Sequence, residues 1–515
     1  MGHETIAAGT KIRGGGHALT RNDTGARSPP GRHRAARGGL PEHHRHGPRC
    51  RHRRLHPRRG GVAGGSLPLA VVFALVACLF CAVSIGLLAR EMPSAGSLAT
   101  YAARGLHPSI GFLVAWGYVL VGFLIPPLVL LQLGFTTAAT INAEFPGYPA
   151  SLWWPWALAG AVIVLAAGFY GIRTSARLGT VLGLSEIAVF VVLAVFFVVH
   201  AGSHNTLSVF TTRYTPPGFR GLAGVIGGSV YTILAFGGFE GAAPLAEEAR
   251  DPRRTIPRAV LLATLLIGAL YVFTTYAVDV AYGPSRLGSF TTGTGAASWE
   301  GMARSLYGLF WFFVFLAIVN STIANANAGV NVSSRTAYAM GRIGAFPRFL
   351  AQVNPRHHSP ALAILTGFVI TVAVTLGLGL GYGATTAFVM VATALVIVLT
   401  AIYIVMNAAC IGYFGRHRAA ARGGPATGSW RYNPLLHLVI PVLGIITFIP
   451  AWLTAAGIKV FSFVAPLAPP YSYLGPGVAG WMIVGVIYLV YLYRRDPRRV
   501  VEVGLVHTDP LEEYE

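Results

Sequence analysis

The chain has 515 residues, of which 54% are hydrophobic and 11% charged, with a mean hydropathy of +0.59. Soluble domains carry about 25% charged residues, so the composition excludes a water-soluble globular protein and points to a bilayer as solvent. The formal charge of +21 is unevenly placed: residues 1–66 hold 14 of the 39 Lys and Arg against 3 of the 18 Asp and Glu.

Residues 1–66 show no apolar period and no run able to bury a core. GRHRAARGGLPEHHRHGPRCRHRRLHPRRGG reads as a disordered Arg/His/Pro/Gly-rich segment. It lacks the apolar centre of a signal peptide, and it has no aromatic residue or fold motif to suit a nucleic-acid partner. Cys50, Cys78, Cys81 and Cys410 have no metal-ligand spacing. Three of them sit in apolar runs, where a free thiol serves as a small core residue, so no metal or other cofactor is expected.

From Leu67 the apolar runs come at span length. Eleven are predicted, at about 67–89, 109–135, 153–172, 178–200, 222–246, 259–282, 306–332, 361–380, 384–413, 435–456 and 476–493. They define an eleven-span domain over residues 67–493, followed by a tail at 494–515. One alternating set of connections holds 20 basic residues, among them Arg90, Arg250, Arg342, Arg416 and Arg494. The other holds five: Arg213, Arg220, Arg286, Arg304 and Lys459. By the positive-inside rule the first set and the C-terminus face the cytoplasm. The same rule conflicts with residues 1–66, which an eleven-span count puts outside the cell.

The stretch Ser229–Ala259, SVYTILAFGGFEGAAPLAEEARDPRRTIPRA, breaks its own helical pattern in mid-membrane. Gly237 and Gly238 each weaken a helix by roughly 1 kcal/mol relative to alanine, and a carboxylate at the depth of Glu240 costs about 3 kcal/mol or more. An unwound half-span turns peptide N–H and C=O groups toward a central cavity, as a transporter requires. Glu240 either bonds the unwound backbone or shuttles a proton as the cavity opens, or is a helix-end carboxylate wetted by a vestibule. Phe236 and Phe239 are gates or walls of the cavity, or ordinary packing. Thr255 is expected to cap the following helix, with Pro257 in its first turn.

Glu186, in LGLSEIAVF, is an isolated acid in an apolar span and suits proton exchange; a wetted Glu near a span end is the alternative. In the run 306–332, Asn320, Asn327 and Asn331 share one helix face, and Ser321 and Asn325 form an adjacent stripe. Such stripes line a cavity or join helices. Asp279, near a span end, is expected to be solvated.

AFGGFEGAAPLAEEARDPRRTIPRA (235–259) resembles the amino acid–polyamine–organocation permeases, secondary transporters of LeuT-like fold. Its small-residue break, Phe-Glu, Leu-Ala-Glu-Glu, basic-proline loop and Ile-Pro-Arg carry the likeness. SIGLLAREMPSAGSLATYAARGLHPSIGFLVAW (84–116) is similar to the family's second and third spans, and SSRTAYAMGRIGAFPRFLAQVNPRHHSPALA (333–363) to the loop after its eighth. The resemblance covers residues 67 to about 500. It implies an all-α membrane protein with two inverted five-span repeats plus two C-terminal spans, in which the first and sixth helices are broken. In that alignment Leu67 starts the second span, and residues 1–66 hold no counterpart of the first. A frameshift or a wrong start is the expectation for that segment. The family places a basic residue near the ion-coupling region of the fifth span, where this chain has Glu186.

The expected function is secondary active transport of amino acids or related amines across the cytoplasmic membrane by alternating access, with H+ as coupling ion. The substrate residues are Phe236, Gly237, Gly238, Phe239, Glu240, Ser321 and Asn325; the proton-coupling residues are Glu186 and Glu240. The alternatives are an amino acid exchanger, or a transport-dead or sensor protein lacking its first span. An enzyme is not expected, since no H-E-x-x-H pair or nucleophile elbow occurs.

Overall fold

The computed structural model describes residues 62–94, 96–169, 176–290, 298–342, 344, 346–352, 360–422 and 432–502. All regular elements among them are helices. The expectations placed on residues 1–61 lie outside the described residues.

A single 3-10 turn, Gly64–Ser66, leads into α1 (Leu67–Glu91), whose Pro68 fills a first-turn position where no intrahelical N–H is needed. The short α2 (Ser97–Gly105) is followed by α3 (Pro108–Glu144), which the His107 ring caps by accepting from the Ser109 amide. At 37 residues α3 runs about 55 Å, well beyond the ~30 Å hydrocarbon layer, so it extends past the bilayer or tilts within it. Then come α4 (Trp154–Phe169), α5 (Ala176–Ala201), α6 (Leu222–Phe236), α7 (Pro252–Tyr282) and the short α8 (Trp299–Tyr307). The remainder are α9 (Phe310–Arg342), α10 (Ala361–Tyr382), α11 (Ala384–Arg422), α12 (Ile440–Ala456, entered through a π-helical turn), α13 (Leu474–Arg495) and α14 (Arg498–Glu502).

Among the described residues, ten helical stretches are long and apolar enough to cross a membrane, and Trp154–Phe169 is a shorter apolar helix. These eleven fall where the apolar runs are predicted. One boundary differs. The helix after the break starts at Pro252, with Asp251 rather than Thr255 at its N-cap, because a proline is already suited to the first helical position. Pro257 therefore lies inside α7, and Pro257 packs against Gly86 of α1.

The core forms along α1, α3, α6 and α11. Within their most apolar stretches α3 and α11 are largely buried in protein, whereas α5, α7 and α13 leave most of that surface for lipid. The α3–α9 contact is made backbone to backbone: a Cβ on Gly122 would lie 2.9 Å from the Ser333 main chain. Small residues let membrane helices approach this closely, and dispersion and weak polar contacts then hold them where no hydrophobic drive exists. Trp116 of α3 and Trp481 of α13 each donate the indole N–H to the other's carbonyl, at 3.0 and 3.3 Å, with stacked rings.

Candidate substrate site

α6 ends at Phe236. Gly237 (φ −52°, ψ 132°) leaves the helix and Gly238 turns the chain left-handed at φ 110°, a conformation that L side chains rarely adopt. The chain then runs as ten residues of 3-10 helix, Phe239–Glu248, before the loop into α7. Runs of 3-10 helix beyond three or four residues are uncommon and mark hinges or strain.

The exposed surface at the break is backbone. Gly237, Gly238 and Gly241 are exposed, and nothing described lies within 4 Å of a Cβ placed on Gly238 or Gly241. The neighbouring side chains turn away from that space: Phe236, Phe239 and Glu240 are all buried. The Phe236 ring meets Tyr271 edge-on at 5.4 Å, and Phe239 lies 5.2 Å from Tyr403.

Glu240 is 2% exposed. Its carboxylate accepts from the Gly238 amide and from the Tyr403 hydroxyl, each at 3.0 Å, and the Tyr118 hydroxyl of α3 is nearby. The surroundings are otherwise apolar, with Cys78 and Cys81 of α1 close by. A buried carboxylate is tolerable only when its lone pairs are met in this way. The bond to Gly238 clamps the left-handed turn, and Tyr403 ties that turn to α11. Glu240 thus holds the unwound segment in place.

A second polar group lies on α5 and α9. The half-buried Glu186 accepts from the Asn320 side chain at 3.3 Å and bonds Ser321. The exposed Asn325 donates to the Ser321 carbonyl at 2.9 Å. No hydrogen bond among the described residues joins this group to the Gly237–Glu240 turn. Tyr271 of α7 stands between them: its hydroxyl donates to the Ala235 carbonyl at 3.0 Å, its ring packs on Phe236, and it lies within the electrostatic reach of Glu186.

The substrate residues anticipated from sequence therefore fall into two groups, Phe236–Glu240 and Ser321–Asn325, with Glu186 beside the second. Tyr118, Tyr271 and Tyr403 were not anticipated. Their signal was a hydroxyl inside an apolar run, which must find a partner there. Asp279 differs from its expected solvation: it is fully buried, and neither carboxyl oxygen has a partner among the described residues. It sits one turn inside the end of α7, covered by the packing of that helix end.

A family model described as amino acid permease matches residues 58–496. The chain belongs to that family. It is accordingly a multi-pass membrane transporter of LeuT-like fold and not an enzyme. Among relatives, the low-affinity putrescine importer of Escherichia coli K12 is 32% identical over 347 residues, covering 64% of this chain and 73% of the relative. The branched-chain amino acid permease of Bacillus subtilis is 26% identical over 331 residues, 61% and 68%. The histidine permease of Lactococcus lactis is 25% identical over 319 residues, 59% and 63%. Amino acids and amines are thus the substrate class of this permease family.

Proposed function

We propose that this permease carries an amino acid or a small amine across the cytoplasmic membrane by alternating access, driven by protons. The exposed glycine backbone at Gly237–Gly238, beside an otherwise buried core, is the observation that carries the reading. Unwound peptide groups there meet the charged ends of a zwitterion or an amine, with Phe236, Phe239 and Glu240 shaping the turn from behind. Ser321 and Asn325 complete the site from α9. Glu186 is half-exposed and has only neutral partners, which suits it to take and release the coupling proton; Glu240 fixes the turn and is the second candidate. The excess of basic residues in one set of connections supports a cytoplasmic C-terminus, with residues 67–493 read as the transporter domain and 494–515 as its tail.

The names of the relatives set the probes. Purified protein in liposomes is offered labelled putrescine, histidine and leucine, with and without an inward proton gradient. Accumulation that needs the gradient supports symport. Uptake that needs a counter-substrate inside and ignores the gradient overturns proton drive in favour of exchange. No uptake of any probe, from protein that stays folded, overturns the carrier reading.

A further inference from the structure

α8 is a nine-residue helix with two dissimilar faces. One face is apolar. Met302 and Ala303 are buried with Leu193 and Phe197 of α5, Ala277 and Val278 of α7 and Val314 of α9, and Trp299 packs against them. The other face is ionic and meets the C-terminal end of α3. Arg304 pairs with Glu144 of α3 and, at 3.5 Å, with Glu300 one turn back on α8. The guanidinium also stacks 4.0 Å over the Trp311 ring of α9. Glu300 is 8% exposed and accepts from the Thr140 hydroxyl of α3 at 2.8 Å.

These two attachments differ in strength and kind. The apolar face is buried and insensitive to ions, so α8 stays with α5, α7 and α9. The ionic face is partly open to solvent, and pairs of that exposure contribute little each and are screened by salt. Of the guanidinium's contacts only the pair with Glu144 crosses to α3; Glu300 and Trp311 hold Arg304 on the α8 and α9 side, and the buried Thr140–Glu300 bond is the second link to α3.

We propose that α8 is a releasable brace, in which Arg304 clasps the C-terminal end of α3 to α8 and lets go when this face of the permease opens. The inference rests on the alternating-access reading for its purpose, but the brace is tested without transport. Spin labels on Ala143→Cys of α3 and Ser305→Cys of α8, both exposed positions, report the separation across the clasp in a Cys50→Ser background, since Cys78, Cys81 and Cys410 are buried.

The intact clasp gives a dominant short distance. Arg304→Gln and Glu144→Gln, each nearly isosteric, raise the share of a longer distance by about two- to fivefold, the scale set by an exposed ion pair. Salt at about 1 M does the same to the parent protein, where the Debye length falls to about 3 Å. Identical distance distributions in both variants and at high salt overturn the brace. If an Arg304→Gln sample loses its monodisperse gel-filtration peak, the salt series on the parent protein decides alone. Uptake by the same variants is a separate readout: a changed distance with no transport by any protein overturns the carrier reading and leaves the brace standing.

Discussion

Glu240 and Glu186 both lie in membrane segments of this permease, and their surroundings are opposite. Glu240 is buried, with hydrogen bonds from the Gly238 amide of the turn and the Tyr403 hydroxyl of α11, and the Tyr118 hydroxyl of α3 nearby. Glu186 is half-buried and holds on to Asn320 and Ser321 of one neighbouring helix. A buried group gripped by a backbone amide and a tyrosine hydroxyl is held in one state, because changing its charge unsettles both donors. A group with a neutral partner or two and some access to water changes state at little structural cost. The difference supports the proposed division of labour, in which Glu240 fixes the unwound turn and Glu186 exchanges the proton.

The largest test of that contrast is Glu240→Ala. It strands the Tyr403 hydroxyl and the Gly238 amide in an apolar core, so a loss of about 3 kcal/mol or more in thermal unfolding and abolished uptake are expected. Retained stability and uptake would remove Glu240 from the clamp. Glu186→Gln comes next. Uptake driven by a proton gradient is lost, while unfolding shifts by less than about 0.5 kcal/mol and counterflow exchange survives. Gradient-driven accumulation at the parent rate returns Glu186 to the role of a wetted helix residue. Gly238→Ala forces a methyl group onto a left-handed residue in open space. A loss of about 1–2 kcal/mol from strain alone is expected, with slowed uptake. Tyr271→Phe removes one bond to the Ala235 carbonyl. It costs about 1 kcal/mol and shifts the pH dependence of uptake if Tyr271 links Glu186 to the break.

The smallest effect concerns Glu300. Burial raises its carboxyl above the usual range, with the nearby Glu144 adding to this, although the Thr140 hydroxyl and Arg304 pull the other way. A carboxyl raised in the folded state contributes stability that is complete below its unfolded value and lost as pH rises through the folded one. Unfolding temperature followed from acid toward neutral pH therefore falls less steeply for Glu300→Gln than for the parent. Parallel curves contradict that sign.

Much of this fold was legible in the sequence because bilayer thickness sets span length, and glycine pairs with a carboxylate in an apolar run leave few structural explanations. The break after Phe236 is an example: two glycines remove both the side chains that would pack and the barrier to positive φ. What the sequence concealed is which groups meet. Glu186 and Asn320 are 134 residues apart, and Tyr403 lies 163 residues beyond Glu240. Only packing brings them together, and no periodicity along a single helix records it. Phe236 and Phe239 illustrate the same limit, since both flank the break yet turn inward, leaving peptide groups as the exposed surface. The start of α7 was misplaced by one turn because Pro252 and Pro257 both suit a first helical turn, and the chain uses the earlier.

The run Phe239–Glu248 also stores distance. Ten residues in 3-10 geometry extend about 20 Å, against about 15 Å when wound as an α-helix. Rewound as the wider α-helix, with less rise per residue, the run would be shorter by about 5 Å, close to a full α-helical pitch, with Gly238 at its other end. On the proposed carrier reading, such a rewinding places a stroke of that length within the main chain itself, worked against the burial of Phe239, Ala243 and Ala246.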